Sequence, residues 1–198
     1  MTAGVRIIPI SQTPWGDVVQ VFGTRGDPAG CWCQYFKISN SDFTRDNREW
    51  FEARLREQSE VDGPGPGLIA YAGGVPAGWV AVEPRPLTPR IFNSKISMAG
   101  RREPDDDESV WAVTCFVVRV GFRRRGLGAA LLAAAVEQAV AGGARVIEGY
   151  PAETSGPAKP SAAELYHGSV SMFVDAGFEI VARPSERRAV ARLELRRP

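Results

Sequence analysis

Three cysteines and one histidine are all that the 198 residues offer to covalent cross-links and soft metals. Three thiols cannot all pair, so the chain is not a disulfide-built secreted domain and suits a reducing compartment. Cys31 and Cys33 stand one residue apart with no second Cys/His pair to complete a zinc tetrahedron, so no metal is expected. Packing with Trp32, or a place in a pocket wall, are the readings left for them. Charge of one sign is also lacking. Lys and Arg number 24 against 23 Asp and Glu, a net +1, and no strong field selects nucleic acid or a membrane surface. Long apolar runs are missing too: 110–118 and 126–136 fall short of the ~20 residues that cross a bilayer. Met1-Thr-Ala-Gly-Val-Arg6 has no signal-peptide core, and the expected location is cytoplasmic.

What is present is an ordinary globular composition, 44% hydrophobic and 24% charged, read as a single domain over 1–198. Val5–Ile10 reads as a short strand broken at Pro9, and Trp15–Phe22 as a short helix. Trp50, Phe51 and Leu55 place a helix over Asp46–Glu60, stopped by Asp62-Gly-Pro-Gly-Pro-Gly67. Leu68–Ala72 and Ala77–Val82 flank Gly73-Gly74, a hairpin pattern. A proline-rich insertion at about 83–109 follows and ends in the acidic run Asp105–Glu108. A loop this long inside a domain is usually functional or flexible. Acidic residues covering an acceptor side would favour a cationic partner; a solvated surface is the plainer reading.

Val110–Val118 is a nine-residue apolar run rich in β-branched side chains, a buried strand. Ala129–Ala141 is Ala- and Leu-rich and stops at Gly142-Gly143, and Arg145–Tyr150 is strand-like. Together they make a βαβ unit. Ala162–Ala176 reads as one helix, with Gly168 as a point where it can break. Phe178–Ala182 is a strand, and Ala189–Arg196 alternates as a half-buried one.

The informative turn is Arg123-Arg124-Arg125-Gly126-Leu127-Gly128-Ala129, between the buried strand and the helix. The first N–H groups of a helix lack internal partners and sit at the positive end of its dipole. Glycines remove the Cβ atoms that would hold a ligand off those amides, and arginines add charge and forked donors. A phosphate or pyrophosphate is therefore expected on residues 124–129. A Walker loop is excluded because Leu127-Gly128, not Lys-Ser/Thr, follows Gly126. A dinucleotide fingerprint would use Gly126, Gly128 and Glu148, but its third glycine position is Leu131 and too little chain remains for that fold.

Arg123-x-x-Gly126-x-Gly128, after a strand and opening a helix, resembles the acetyl-CoA motif of the GNAT N-acetyltransferase superfamily. The likeness continues into Ser171-Met-Phe-Val-Asp-Ala-Gly-Phe178, similar to the family's later signature, and back through the hairpin. Cys31-Trp-Cys33, Gly78-Trp79 and Cys115-Phe116 resemble a subgroup to which the family pattern assigns no substrate. The resemblance implies an α/β (α+β) fold: a mixed, mostly antiparallel central sheet, helices on both faces, and a V-shaped splay between central strands. It implies acetyl-CoA as co-substrate, with Phe116, Val117 and Val118 pairing the pantetheine amides through their backbone. Arg123, Arg124, Arg125, Gly126, Leu127, Gly128 and Ala129 would take the pyrophosphate, with Phe173 beside the cofactor. The reaction implied is direct attack of a primary amine on the thioester, the amine being a small molecule or a protein lysine or N-terminus. A homodimer is compatible with the family; nucleic acid and membrane are not expected as partners.

The family's acid, a tyrosine, aligns with Phe173, which has no proton to give. Tyr166, Tyr150 and Cys115 are the substitutes within reach of the pattern. Glu148 is the first candidate base, since a carboxylate in an apolar strand needs a partner or a task. An ion pair with Arg145 or an arginine of a neighbouring strand is the alternative. Glu83, ending a hairpin strand, is the second candidate base, and a surface charge is its alternative. His167 is read chiefly as packing. The missing tyrosine also keeps open a catalytically impaired acyl-CoA-binding or interaction module on the same scaffold.

Overall fold

The structure, a computed structural model, describes residues 4–39, 41–43, 47–156 and 159–195. Among the described residues seven strands form one sheet: β1 (Val5–Pro9), β2 (Gly67–Ala72), β3 (Val75–Pro84), β4 (Val110–Val118), β5 (Val146–Gly149), β6 (Glu179–Ser185) and β7 (Arg188–Glu194). Their order is β1-β2-β3-β4-β5-β7-β6. Every neighbouring pair is antiparallel except β4 and β5, the two strands joined through a helix. The α+β architecture expected from the resemblance is the one present.

Helices cover both faces. On one, α4 (Leu127–Ala141) and α5 (Val170–Asp175) pack Leu131, Leu132, Ala135 and Phe173 on Val80, Val113, Phe116 and Ile147. On the other, α1 (Trp15–Phe22) and α3 (Arg48–Ser59) set Val18, Phe22, Phe51 and Leu55 against Ile69, Trp79 and Val117. Alanines let α4 lie close to the sheet; Gly142 at its end sits under Trp111, where a Cβ would collide with the ring. The helix expected over Asp46–Glu60 runs Arg48–Ser59, and Asp46 lies outside the described residues.

One expectation is corrected. Ala162–Ala176 is not one helix: a 3-10 turn at Glu164–His167 ends at Gly168, with φ of 77°, before α5 begins. A left-handed glycine reverses the chain there and frees Glu164–His167 to lie against β4. Between α1 and Cys33 lies a further short helix, α2 (Gly26–Cys31). The insertion after β3 is folded down rather than loose. Arg85, Thr88, Arg90 and Ile91 are buried. Arg90 donates to the carbonyls of Ile38 (3.1 Å) and Ser39 (2.6 Å), tying the insertion to the segment before α3.

Candidate active site

The site is built where β4 loses a neighbour. Pairing between β4 and β5 runs from Val110↔Val146 to Val113↔Gly149 and stops. Beyond it, Thr114–Val118 keep β3 on one side and, among the described residues, have no strand on the other. The register against β3 also shifts here: Val82 faces Val113 while Ala81 faces Cys115, leaving Thr114 as an extra residue. Such a bulge inverts the strand's facing. Accordingly Val113 and Phe116 both point to the α4 face, and Cys115 and Val117 to the α1 face.

Two cavities flank the opened strand. The smaller, about 540 Å³, is bordered by Phe116 and Val118 of β4, by Arg123 and Arg124, and by Gly126–Ala129 at the start of α4. Gly126 precedes the helix in a left-handed conformation, φ 78°, and no side chain caps the helix or places an acid in its first turn. The amides at this end are thus left for a ligand, at the positive end of a 15-residue helix. Arg123 donates from Nε to the Val118 carbonyl at 2.9 Å and closes the turn back on β4. Arg125 is exposed and does not border the cavity. Phe173 is fully buried against Phe116 and Phe178, with Gly149 making room for its ring, and it borders neither cavity.

The larger cavity, about 700 Å³, lies against Thr114, Cys115 and Val117, with α2, the 35–43 segment and the 3-10 turn as its other walls. Tyr166, in that turn, borders both cavities. Burial, and then the Asp27 carboxylate, raise its phenol above the ordinary range, so the hydroxyl stays protonated at neutral pH. His167 sits next to it. Its Nδ1 lies 2.8 Å from the Thr114 carbonyl, which can only accept, so Nδ1 carries the proton and Nε2 the lone pair. Burial, then the charge of Arg188, push the imidazole down to about 4 and keep it neutral.

The carboxylates singled out from the sequence lie elsewhere. Glu148 is buried in β5, accepts from Arg85 (3.2 Å), Arg192 (3.0 Å) and the Tyr150 hydroxyl (3.3 Å), and borders neither cavity. The partners come from the insertion and the neighbouring strand; Arg145 instead meets Asp107 at 3.1 Å. Tyr150 is consumed by the same cluster, its phenol raised by burial and then by Glu148. Glu83 is buried, not on the surface, and pairs with Lys37 at 2.8 Å; burial raises its carboxyl. None of 83–109 borders the larger cavity. The acidic run is occupied at the far end of β4, where Asp107 takes Ser109 and Arg145.

Cys31 and Cys33 line the larger cavity with Cys115. Cys33 accepts from the Trp79 indole at 3.1 Å, and burial pushes the Cys31 thiol up to about 12, so both act as wall rather than as thiolates. Among the described residues no cluster of three ligating side chains is placed to hold a metal. No described helix is long and apolar enough to cross a membrane.

The family model of the GNAT acetyltransferases matches residues 32–166, more than half of the chain, and the protein belongs to that family. Among solved structures, a GCN5-related N-acetyltransferase from Kribbella flavida is 17% identical, covers 98% of this chain and 100% of its own, and superposes with a TM-score of 0.55. A GNAT-family protein from Desulfovibrio desulfuricans is also 17% identical, with 96% and 99% covered and a TM-score of 0.55. The yncA protein of Salmonella typhimurium, solved with its cofactor acetyl-CoA, is 16% identical, with 98% and 95% covered and a TM-score of 0.53. At these identities the likeness speaks to the fold. No curated protein sequence matches the chain.

Proposed function

We propose that this protein transfers an acetyl or other short acyl group from CoA to a primary amine. The observation carrying the reading is the departure of β5 from β4 after Val113, which opens onto an uncapped helix start flanked by arginines. The residues suit acetyl-CoA. A left-handed Gly126 and the amides of Leu127, Gly128 and Ala129 take the pyrophosphate, with Arg123 and Arg124 adding charge. The unpaired edge of Phe116–Val118 offers main-chain donors and acceptors to an extended pantetheine, as an added strand would use them. A backbone N–H of that edge polarises the thioester carbonyl.

The amine enters from the larger cavity. The attacking nitrogen forms the N–C bond as the C–S bond breaks; the nitrogen's proton passes to Nε2 of His167, directly or through a water, and Tyr166 protonates the departing sulfur. Tyr166 suits this role because it alone of the candidate phenols borders both cavities. Glu148, Glu83 and Tyr150 find no support in their placement, since each is spent on a buried partner. Thiol release from acetyl-CoA over a panel of amines tests the reading. Turnover supports it; tight acetyl-CoA binding without turnover favours the impaired module, for which buried Phe173 speaks.

A further inference from the structure

The larger cavity has a fixed aromatic wall. Tyr35 meets Phe36 edge-on at 5.0 Å and Phe43 at 5.2 Å, while the Arg90 guanidinium lies over Tyr35 at 4.2 Å and Phe43 at 5.0 Å. Phe36 stands against the His167 ring at 5.6 Å. These rings are held by the protein itself, ready for an apolar body.

The cavity also holds a cation whose donors are not used up. Arg188, first residue of β7, gives Nη2 to the Tyr150 carbonyl at 2.8 Å, and its Nε is buried with no acceptor among the described residues. Among the described residues no carboxylate comes within ion-pair distance of it, although neighbouring Arg187 reaches Glu164 at 3.7 Å. Two carboxylates border the same cavity. Glu164 is occupied by the Ser161 N–H at 2.7 Å and by Arg187. Asp27 is exposed at the rim, where water and salt weaken its pull. The guanidinium borders the cavity without a carboxylate partner among the described residues, so a carboxylate entering from outside would gain a charge-assisted hydrogen bond there.

We infer that the acceptor is an amine bearing both a carboxylate, held by Arg188, and an aromatic or bulky apolar body, held by Tyr35, Phe36 and Phe43: an aromatic amino acid or a close relative. The inference rests on the acyl-transfer reading. It also ties recognition to chemistry. Arg188 is one of the charges that depress His167, so a substrate carboxylate that offsets it raises the basicity of the imidazole as the correct acceptor arrives. Glu164, the other charge felt by His167, is already paired with Arg187.

The test compares matched probes, phenylalanine with phenethylamine and tryptophan with tryptamine, by thiol release. It also compares N-acetylphenylalanine with N-phenethylacetamide by calorimetry on the CoA-bound protein. The acid of each pair is expected to be favoured about tenfold or more in kcat/KM and in Kd, as for a charge-assisted pair. Arg188→Gln should erase the preference and Arg188→Lys retain part of it, with acetyl-CoA still raising the Tm of both. Equal or better use of the decarboxylated member, binding of neither acetylated probe, or a preference that survives in Arg188→Gln overturns the inference and leaves acyl transfer standing. Failure of acetyl-CoA to stabilise the wild-type protein overturns the underlying reading, and the inference with it.

Discussion

The two halves of β4 are one apolar run in sequence and two environments in space. Val110–Val113 lie between β3 and β5, roofed by a buried network in which Arg85 and Arg192 hold Glu148, and Arg192 also pairs with Glu103. Thr114–Val118 keep a single strand neighbour and face two cavities. Charged groups are buried at the closed end, and neutral Tyr166 and His167 stand at the open one. Buried charge that is already paired, as at Glu148, is therefore no guide to chemistry in this protein. At the closed end the carboxylate neutralises arginines that pin the insertion, since Arg85 also donates to the Pro104 carbonyl at 2.7 Å. At the open end, unpaired backbone and a helix start provide what acyl transfer needs.

Substitutions sharpen that contrast. The largest effect is expected from Gly126→Val at the open end. A β-branched side chain cannot adopt a φ of 78° and would crowd the cradle, so kcat/KM for acetyl-CoA should fall about 1000-fold and the Tm gain from acetyl-CoA should vanish. A matching test strikes the closed end. Glu148→Gln leaves buried Arg85 without its carboxylate, while Arg192 keeps Glu103, and should cost about 3 kcal/mol in denaturant unfolding, with kcat of the folded enzyme unchanged. A drop in kcat beyond the unfolded fraction would return Glu148 to proton transfer and break the comparison. Tyr166→Phe should lower kcat about 100-fold, leave the KM for acetyl-CoA nearly unchanged, and alter Tm little.

The smallest effect is a slope. His167 titrates near 4 in the folded protein and near 6.5 when unfolded, so between those values the unfolded chain binds more protons. Its contribution is intact above about 6.5 and is lost as pH falls toward about 4. The wild-type Tm should decline across that window more steeply than that of His167→Gln. Equal slopes would mean that the imidazole is not held neutral against Thr114.

Much of the frame was legible in the sequence because it is written in local patterns. The nine-residue apolar run of β4, the Ala-rich helix and the Gly-Gly hairpin need only periodicity and turn chemistry, and they sit where those rules place them. The arginine–glycine turn was legible for the same reason: its residues are contiguous and meet at one helix start. Of the two groups proposed for proton transfer, Tyr166 was among the sequence candidates, but His167 was read chiefly as packing. His167 owes its tautomer to a carbonyl 53 residues away, and no spacing announces that pairing. Glu148 stood out as a charge in an apolar strand, yet its partners come from Arg85 in the insertion and Arg192 on β7, so the ion-pair alternative describes it. The break at Gly168 was visible as a glycine, but its consequence, turning Tyr166 toward β4, depends on the backbone reversal that a single residue permits.

Hydrogen exchange with and without acetyl-CoA tests the central claim most directly, because it reads both halves of β4 in one experiment. Added acetyl-CoA should slow exchange of amides within Thr114–Val118 and Leu127–Ala129 and leave Val110–Val113 and Val146–Gly149 as they were. Protection spread evenly along β4, or none at the start of α4, would contradict the division on which the assignment stands.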